Sequence, residues 1–172
     1  MYIFNYLKIS KRKVRYCFVL ICTDSIIANK GINMIDEAYK LVEAFQKAAG
    51  QPVSKIPCQL KKERVEIRTK WMEEELQEFM KAQDIYAQAD AMIDLLYYLL
   101  GTCVEMGIKP DALFQIVHKS NMKKLEVRSS IIKDSDGKVK KPPLWTHPDI
   151  AIKDTIKSMQ SSFLQENSSG LL

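Results

Sequence analysis

The sequence lacks the short motifs of several common enzyme classes. It has only two histidines, His118 and His147, which argues against a zinc site built from histidine. Its four cysteines form no CxxC pair, so we expect reduced, mostly buried thiols rather than a metal or disulfide framework. There is no P-loop, no GxGxxG and no nucleophile elbow, so the chemistries that depend on them are unsupported. No internal repeat or low-complexity segment is visible.

Length and composition predict one ordinary globular domain. The 172 residues are enough for a single core, and 47% hydrophobic with 27% charged residues is typical of such a domain. The net charge of +5 favours an anionic ligand. The lysines are scattered along the chain, so we expect no nucleic-acid partner.

The first 33 residues differ in pattern from the rest. Five basic residues precede a short apolar run at 16–22, the order typical of a signal peptide, yet the run is too short to cross a bilayer as a helix. Three interpretations remain open: a weak export signal, a strand or arm packed on the domain, and an upstream extension that the fold does not need. Because Met34 opens the first well-patterned helix, we favour an extension at 1–33, hence a cytoplasmic protein with no membrane partner.

Apolar residues at helical spacing predict four helices. They cover about 35–49, 59–81, 85–106 and 111–125, with a proline-interrupted loop at 51–58. Four helices with short links predict an all-α four-helix bundle. The side chains expected to face its core are Ala38, Leu41, Val42, Phe45, Ala49, Val65, Met72, Leu76, Phe79, Ile93, Leu96, Tyr97, Leu100, Val104, Leu113, Ile116 and Val117.

The C-terminal part reads as a short irregular or β-hairpin extension of the bundle. A turn at 134–137 separates two short β-prone pieces, and a non-helical strap follows at 140–150. A last helix is predicted at about 149–163. The domain therefore spans 34–165, and we expect a disordered tail at 166–172.

Two acidic pairs stand out between Trp71 and Asp94. Residues three or four apart share a helix face, so Glu75 pairs with Glu78 and Asp90 with Asp94. If the two helices pack antiparallel, these carboxylates converge, and converging carboxylates suit a hard cation such as Mg²⁺. A solvated acidic face is the alternative. Cations for a polyphosphate follow in the chain, at Lys119, Lys123, Lys124 and Arg128, with Asn121 as an uncharged hydrogen-bonder.

Several segments in order resemble one enzyme family. EExxE at 74–78, DAMIDLLYYLLGTCVEMGI at 90–108, HKSNMKK at 118–124 and DGKVKKPPLWTHPDI at 136–150 are similar to the all-α nucleoside triphosphate pyrophosphohydrolases of the MazG-like and phosphoribosyl-ATP pyrophosphohydrolase-like type. The resemblance covers about 35–152. The glutamate of the family's ExxD motif would fall at Ala91, and Asp90, one residue earlier, is the natural substitute.

The resemblance implies hydrolysis of an NTP or dNTP to the monophosphate and pyrophosphate by a homodimer or homotetramer. It implies Mg²⁺, with Mn²⁺ as a substitute, and Glu74 would orient or deprotonate the attacking water. The implied metal ligands are Glu75, Glu78, Asp94 and Asp90. The implied substrate contacts are Lys119, Asn121 and Lys124 to phosphate or sugar, with Tyr97 and Trp71 lining a base pocket.

Alternatives remain at three levels. Within the family, a house-cleaning enzyme for dUTP or dCTP competes with a broad triphosphate hydrolase, and the tail is unlike that of a compact biosynthetic enzyme acting on phosphoribosyl-ATP. A di-iron bundle needs two Glu-x-x-His motifs, but Gln115 precedes His118 and no ExxH exists. A non-catalytic helical nucleotide-binding or interaction module is the remaining possibility.

Overall fold

A computed structural model of the protein describes residues 34–126, 131–143 and 145–169, without the side chains of 126 and 166–169. The described helices are α1 (Met34–Ala48), α2 (Lys62–Lys81), α3 (Ile85–Met106), α4 (Pro110–Glu126) and α5 (Asp149–Ser169). The same residues contain no β-strand, which confirms the predicted all-α fold class. The interpretations of 1–33, Arg128 and 170–172 lie outside the described residues.

Helix α3 is the centre of the fold. It packs against α2 and α1, whereas α4 packs against α1 and α5. The buried core cluster joins Tyr39 and Val42 of α1 to Leu100 and Val104 of α3. Three of these four residues, all except Tyr39, are among those predicted to face the core. The core therefore lies where the C-terminal half of α3 crosses α1.

The loop between α1 and α2 is held against the end of α3. Its backbone donates hydrogen bonds from Ser54 N to Val104 O (3.1 Å) and from Cys58 N to Met106 O (2.9 Å). Helix α3 ends at Gly107, which has φ 66°, a left-handed value that favours glycine. A Cβ at Gly107 would lie 2.5 Å from Ile56 O, so glycine is required twice over. The predicted 51–58 loop is thus confirmed and fixes the entry to α2.

The prediction of which helix faces are buried is wrong at many positions. Leu41 is 73% exposed and Ile93 is 62% exposed, because no other element within the described ranges covers those faces. Buried positions on the same helices include polar residues that the apolar pattern does not select. The exposed residues among those predicted to face the core also include Phe45, Ala49, Val65, Leu76, Phe79, Leu96, Tyr97 and Val117.

The C-terminal extension is anchored at two points. Trp145 Nε1 donates to Ser120 O on α4 (2.8 Å), and Gln160 Nε2 of α5 donates to Pro57 O (2.8 Å). The predicted turn is present, with an isolated antiparallel bridge between Lys133 and Val139. Helix α5 continues to Ser169, so the disorder expected from 166 is wrong as far as 169. Glutamine and glutamate at 165–166 are good helix formers, which favours continuation past 163.

Two further expectations concern thiols and membranes. Cys103 and Cys58 are both free thiols, as expected. Cys103 is partly buried, whereas Cys58 is exposed, so the expected burial is wrong for Cys58. Among the described residues, no single helix is long and apolar enough to cross a membrane. Helices α3 and α4 meet that test only when joined across a 115° bend.

Candidate active site

Glu75 is the acidic side chain that α2 turns inward. It is only 8% exposed, and its Oε2 is enclosed without a hydrogen-bond partner. An ionised carboxylate in that position loses hydration that nothing in the described part of the chain replaces. Burial therefore raises the pKa of Glu75 above its ordinary value.

The other predicted acids lie within electrostatic range of Glu75. After burial, the pKa of Glu75 is raised by Glu78, Asp94, Asp90 and Glu74, in that order. Residues from both α2 and α3 contribute, as expected if the two acidic pairs converge. The fold thus gathers negative charge from two helices around one enclosed carboxylate.

This arrangement fits a divalent cation chemically, although the ligand set remains a prediction. Carboxylate oxygens are the ligand atoms that Mg²⁺ prefers, and Glu75 Oε2 has no hydrogen bond that would compete with a metal. Within the described ranges, no three His, Cys, Asp or Glu side chains lie at metal-binding spacing. Glu78, Asp90 and Asp94 are exposed and can turn, whereas Ala91 is buried and cannot contribute an oxygen.

A cavity of about 200 Å³ opens beside the acids, between α1, α2 and α3. Its aromatic walls include Trp71, Tyr97 and Tyr98, and the Trp71 and Tyr98 rings lie 5.7 Å apart. Both Trp71 and Tyr97, the predicted base-pocket residues, line it. The pKa of Tyr98 is raised by burial and then by Glu75 and Asp94, so this ring joins the cavity to the acidic group. Val42, Phe45, Gln46, Gln51, Arg68 and Gly101 complete the lining.

The polar side of the cavity rests on a buried charge network. Arg64 donates from Nε to Glu105 Oε2 and from Nη2 to Glu105 Oε1, each at 2.6 Å. Arg68 Nε lies 3.2 Å from the same Oε1. The Glu105 side chain is 1% exposed. Both guanidinium groups also lie over the Trp71 ring, at 5.1 and 5.2 Å from its centre.

Helix α4 holds its predicted substrate contacts away from these acids. Lys124 Nζ donates to Asn121 Oδ1 (2.6 Å), and both residues, with Lys119, lie on a helix that packs on α1 and α5. The Lys124 ammonium also lies 5.2 Å from the centre of the Trp145 ring. In the described part of the chain, α4 thus makes its main contacts with α1 and α5 rather than with the two helices that carry the acids.

Sequence reasoning missed the polar residues of the cavity. Arginine and glutamate are mostly exposed, so Arg64, Arg68 and Glu105 read as surface residues. Gln46 was missed for the same reason. One signal was available, because an isolated glycine within an apolar helix, here Gly101, often marks a close approach of another group.

One family model matches the chain. It covers residues 42–121 and is described as phosphoribosyl-ATP pyrophosphohydrolase. The matched range includes α2, α3 and the end of α1 from residue 42, and it agrees with the resemblance found from the motifs. No curated protein matches the chain.

Proposed function

We propose, from the premise that residues 42–121 form a pyrophosphohydrolase-type domain of the phosphoribosyl-ATP pyrophosphohydrolase family, that the protein cleaves an NTP or dNTP to the monophosphate and pyrophosphate. The observation that supports this most directly is the enclosed, unpartnered carboxylate of Glu75 among four neighbouring acids. An aromatic cavity beside it offers a place for the base. Nucleotide-pool control is the role that such an activity serves.

The acids divide into two roles. Glu75, Glu78, Asp94 and Asp90 would hold Mg²⁺, or Mn²⁺ in its place. When bound, the metal supplies charge neutralisation on the phosphate oxygens. Glu74 is exposed and has its Oε1 3.9 Å from Lys70 Nζ. In this proposal Glu74 orients a water and takes its proton as the water oxygen bonds to the α-phosphorus and pyrophosphate leaves.

Two groups contribute binding rather than chemistry. Lys119, Asn121 and Lys124 contact the phosphates or sugar as point-charge and amide donors. Trp71 and Tyr97 hold the base by stacking. Phosphoryl transfer depends mainly on positioning and charge neutralisation, so this set of groups is sufficient without a covalent nucleophile.

We further propose a homodimer or homotetramer. Large apolar side chains are exposed along both α2 and α3, among them Leu76, Met80 and Ile93, and exposed apolar surface of this kind marks interaction sites when it is contiguous. A second copy would cover that surface and could bring the α4 cations of one chain to the acids of another. This accounts for the separation of the two groups within a single chain.

The test is a panel of canonical and modified triphosphates, with phosphoribosyl-ATP included, assayed for released pyrophosphate with Mg²⁺. We expect release from at least one triphosphate, and Glu78→Gln should abolish it while circular dichroism stays unchanged. Glu66→Gln is the matched control, because Glu66 is exposed on the same helix and has only a 3.9 Å surface pair with Lys62. Full activity in Glu78→Gln would remove Glu78 from the ligand set.

The non-catalytic alternative gives a different result in the same samples. A helical nucleotide-binding module would show a nucleotide-dependent rise in melting temperature without pyrophosphate release from any member of the panel. If nucleotides cause no rise in melting temperature and no pyrophosphate is released, both functions are contradicted.

A further inference from the structure

We propose that the cavity binds the lactam edge of a nucleobase, an N–H beside a C=O, with Gln46 accepting from the N–H and Arg68 donating to the C=O. The inference rests on the proposed function, since it names the base that the same site selects. Both side chains line the cavity. Gln46 is 4% exposed and the Arg68 side chain 6% exposed, so each is more than nine-tenths buried.

The orientation of the Gln46 amide is fixed by a backbone carbonyl. Its Nε2 donates to Pro52 O at 3.0 Å, and a carbonyl can only accept, so the remaining Oε1 is an acceptor. That Oε1 is enclosed and has no donor in the described part of the chain. The nearest donor is Arg68 Nη2, which lies beside Oε1 without a hydrogen bond to it, so a ligand that pairs with Gln46 brings an N–H group in competition with that guanidinium.

Arg68 is a buried cation with too few acceptors. Arg64 already takes both oxygens of Glu105, and Arg68 keeps a single 3.2 Å approach to one of them. Two guanidinium groups thus share one carboxylate. Arg68 Nε and Nη2 make no hydrogen bond. Because arginine only donates, the group that satisfies Arg68 must be a hydrogen-bond acceptor, and a carbonyl oxygen is one such group.

Gly101 places the two unsatisfied atoms side by side. A Cβ at Gly101 would come within 3.0 Å of both Arg68 Nη2 and Gln46 Oε1. Both atoms have almost no accessible surface. A rotation of the Arg68 guanidinium would uncover both, and Nη2 has no hydrogen bond to lose in that rotation.

Shape and size select the rest of the ligand. Trp71, Tyr97 and Tyr98 present aromatic walls, which suit a planar ring. The cavity of about 200 Å³ is smaller than the roughly 300–1,000 Å³ of sites that hold whole drug-sized ligands. It therefore fits the base and leaves sugar and phosphates outside, toward the acids. Uracil, thymine and guanine carry a lactam edge, whereas cytosine and adenine do not carry N–H beside C=O.

The test uses free nucleosides without metal, so that it does not depend on hydrolysis. Trp145→Phe leaves Trp71 as the only tryptophan, because the chain has two. We expect uridine and guanosine to change Trp71 fluorescence saturably. N3-methyluridine, which keeps the ring and both carbonyls but loses the N–H, should bind at least about tenfold more weakly. Cytidine and adenosine should also bind more weakly than uridine.

Variants in the same background test the two named atoms. Gln46→Met removes the acceptor at similar volume, and Gly101→Ala fills the space beside it, so each should lose at least about tenfold in uridine affinity. Gln88→Met is the matched control on the exposed start of α3 and should bind as the parent does. Melting curves establish that each variant is folded. The methylated ligand needs no variant, so the test holds even if Gln46→Met unfolds.

Three results overturn the inference: no saturable nucleoside binding at millimolar concentration, equal binding of uridine and N3-methyluridine, or preference for cytidine or adenosine. The proposed function fails separately. Nucleosides that bind while no triphosphate releases pyrophosphate would contradict hydrolysis and leave the base site standing. Pyrophosphate release by Gln46→Met with the same base preference as the parent would contradict the base site and leave the proposed hydrolysis standing.

Discussion

Glu105→Gln tests whether the buried charge network holds α2 against α3. Glu105 is the shared counter-charge of Arg64 and Arg68, whose side chains are 21% and 6% exposed. The substitution keeps the shape and one acceptor but leaves two poorly hydrated guanidinium groups without a carboxylate. Removing one partner of a buried ion pair costs about 3–5 kcal/mol, and we expect the lower end because glutamine retains an acceptor.

The assay is urea unfolding followed by circular dichroism. With a denaturant slope of about 2 kcal/mol/M, a loss of about 3 kcal/mol lowers the midpoint by roughly 1.5 M. Glu66→Gln is the control, because its ion pair with Lys62 is exposed and should change stability by less than about 0.5 kcal/mol.

A second substitution separates charge from packing. If the cost of Glu105→Gln comes from uncompensated positive charge, adding Arg68→Met to it should recover part of the stability. A midpoint shift that matches the Glu66→Gln control, or a double variant that shows simple additivity of two losses, would refute the charge argument.

Four further outcomes are expected. Gly107→Ala should lower the melting temperature more than Gly50→Ala, because both glycines have φ 66° but only the first would place a Cβ against the Ile56 backbone; equal shifts would contradict this contact. In metal-free protein, Glu75→Gln should raise stability at neutral pH. A raised folded-state pKa means that the native carboxyl loses its proton less readily than the unfolded one, so the penalty grows as pH rises above about 4.3 and vanishes below it. A pH-independent difference would remove the titration as its cause. Millimolar Mg²⁺ should raise the melting temperature of the parent and not that of Glu75→Gln, and an unchanged parent would count against the metal site. Ile93→Lys should reduce the mass measured by light scattering to that of one chain; an unchanged mass would place the interface elsewhere.

The helices were predictable because each depends on local spacing. The four predicted core helices and the loop at 51–58 agree with the structure to within three residues at each end. Gly107 is a case where one residue predicts a helix end, because glycine readily adopts the left-handed φ that ends a helix. The turn at Asp134 is similar, because the Asp134 carboxylate accepts from the backbone of Asp136 and Lys138.

The polar cavity was not predictable for an equally physical reason. Arg64, one partner of Glu105, is 41 residues away from it in the chain. Nothing in the local pattern distinguishes these residues from solvated charges. The exposed apolar faces were mispredicted because periodicity tells which face is apolar and not what covers it. Ile93 and Leu41 follow a correct helical stripe and yet lie at the surface of the single chain.

The sequence by itself determined the all-α class, the bounds of the four core helices and the acidic motif, because spacing, caps and short motifs act within a few residues. Tertiary structure alone decided which carboxylate is enclosed, that Gln46 and Arg68 meet at Gly101, and that the α4 cations lie apart from the acids. Those features depend on how distant helices pack, and burial changes the energy of a polar group only after packing has removed its water.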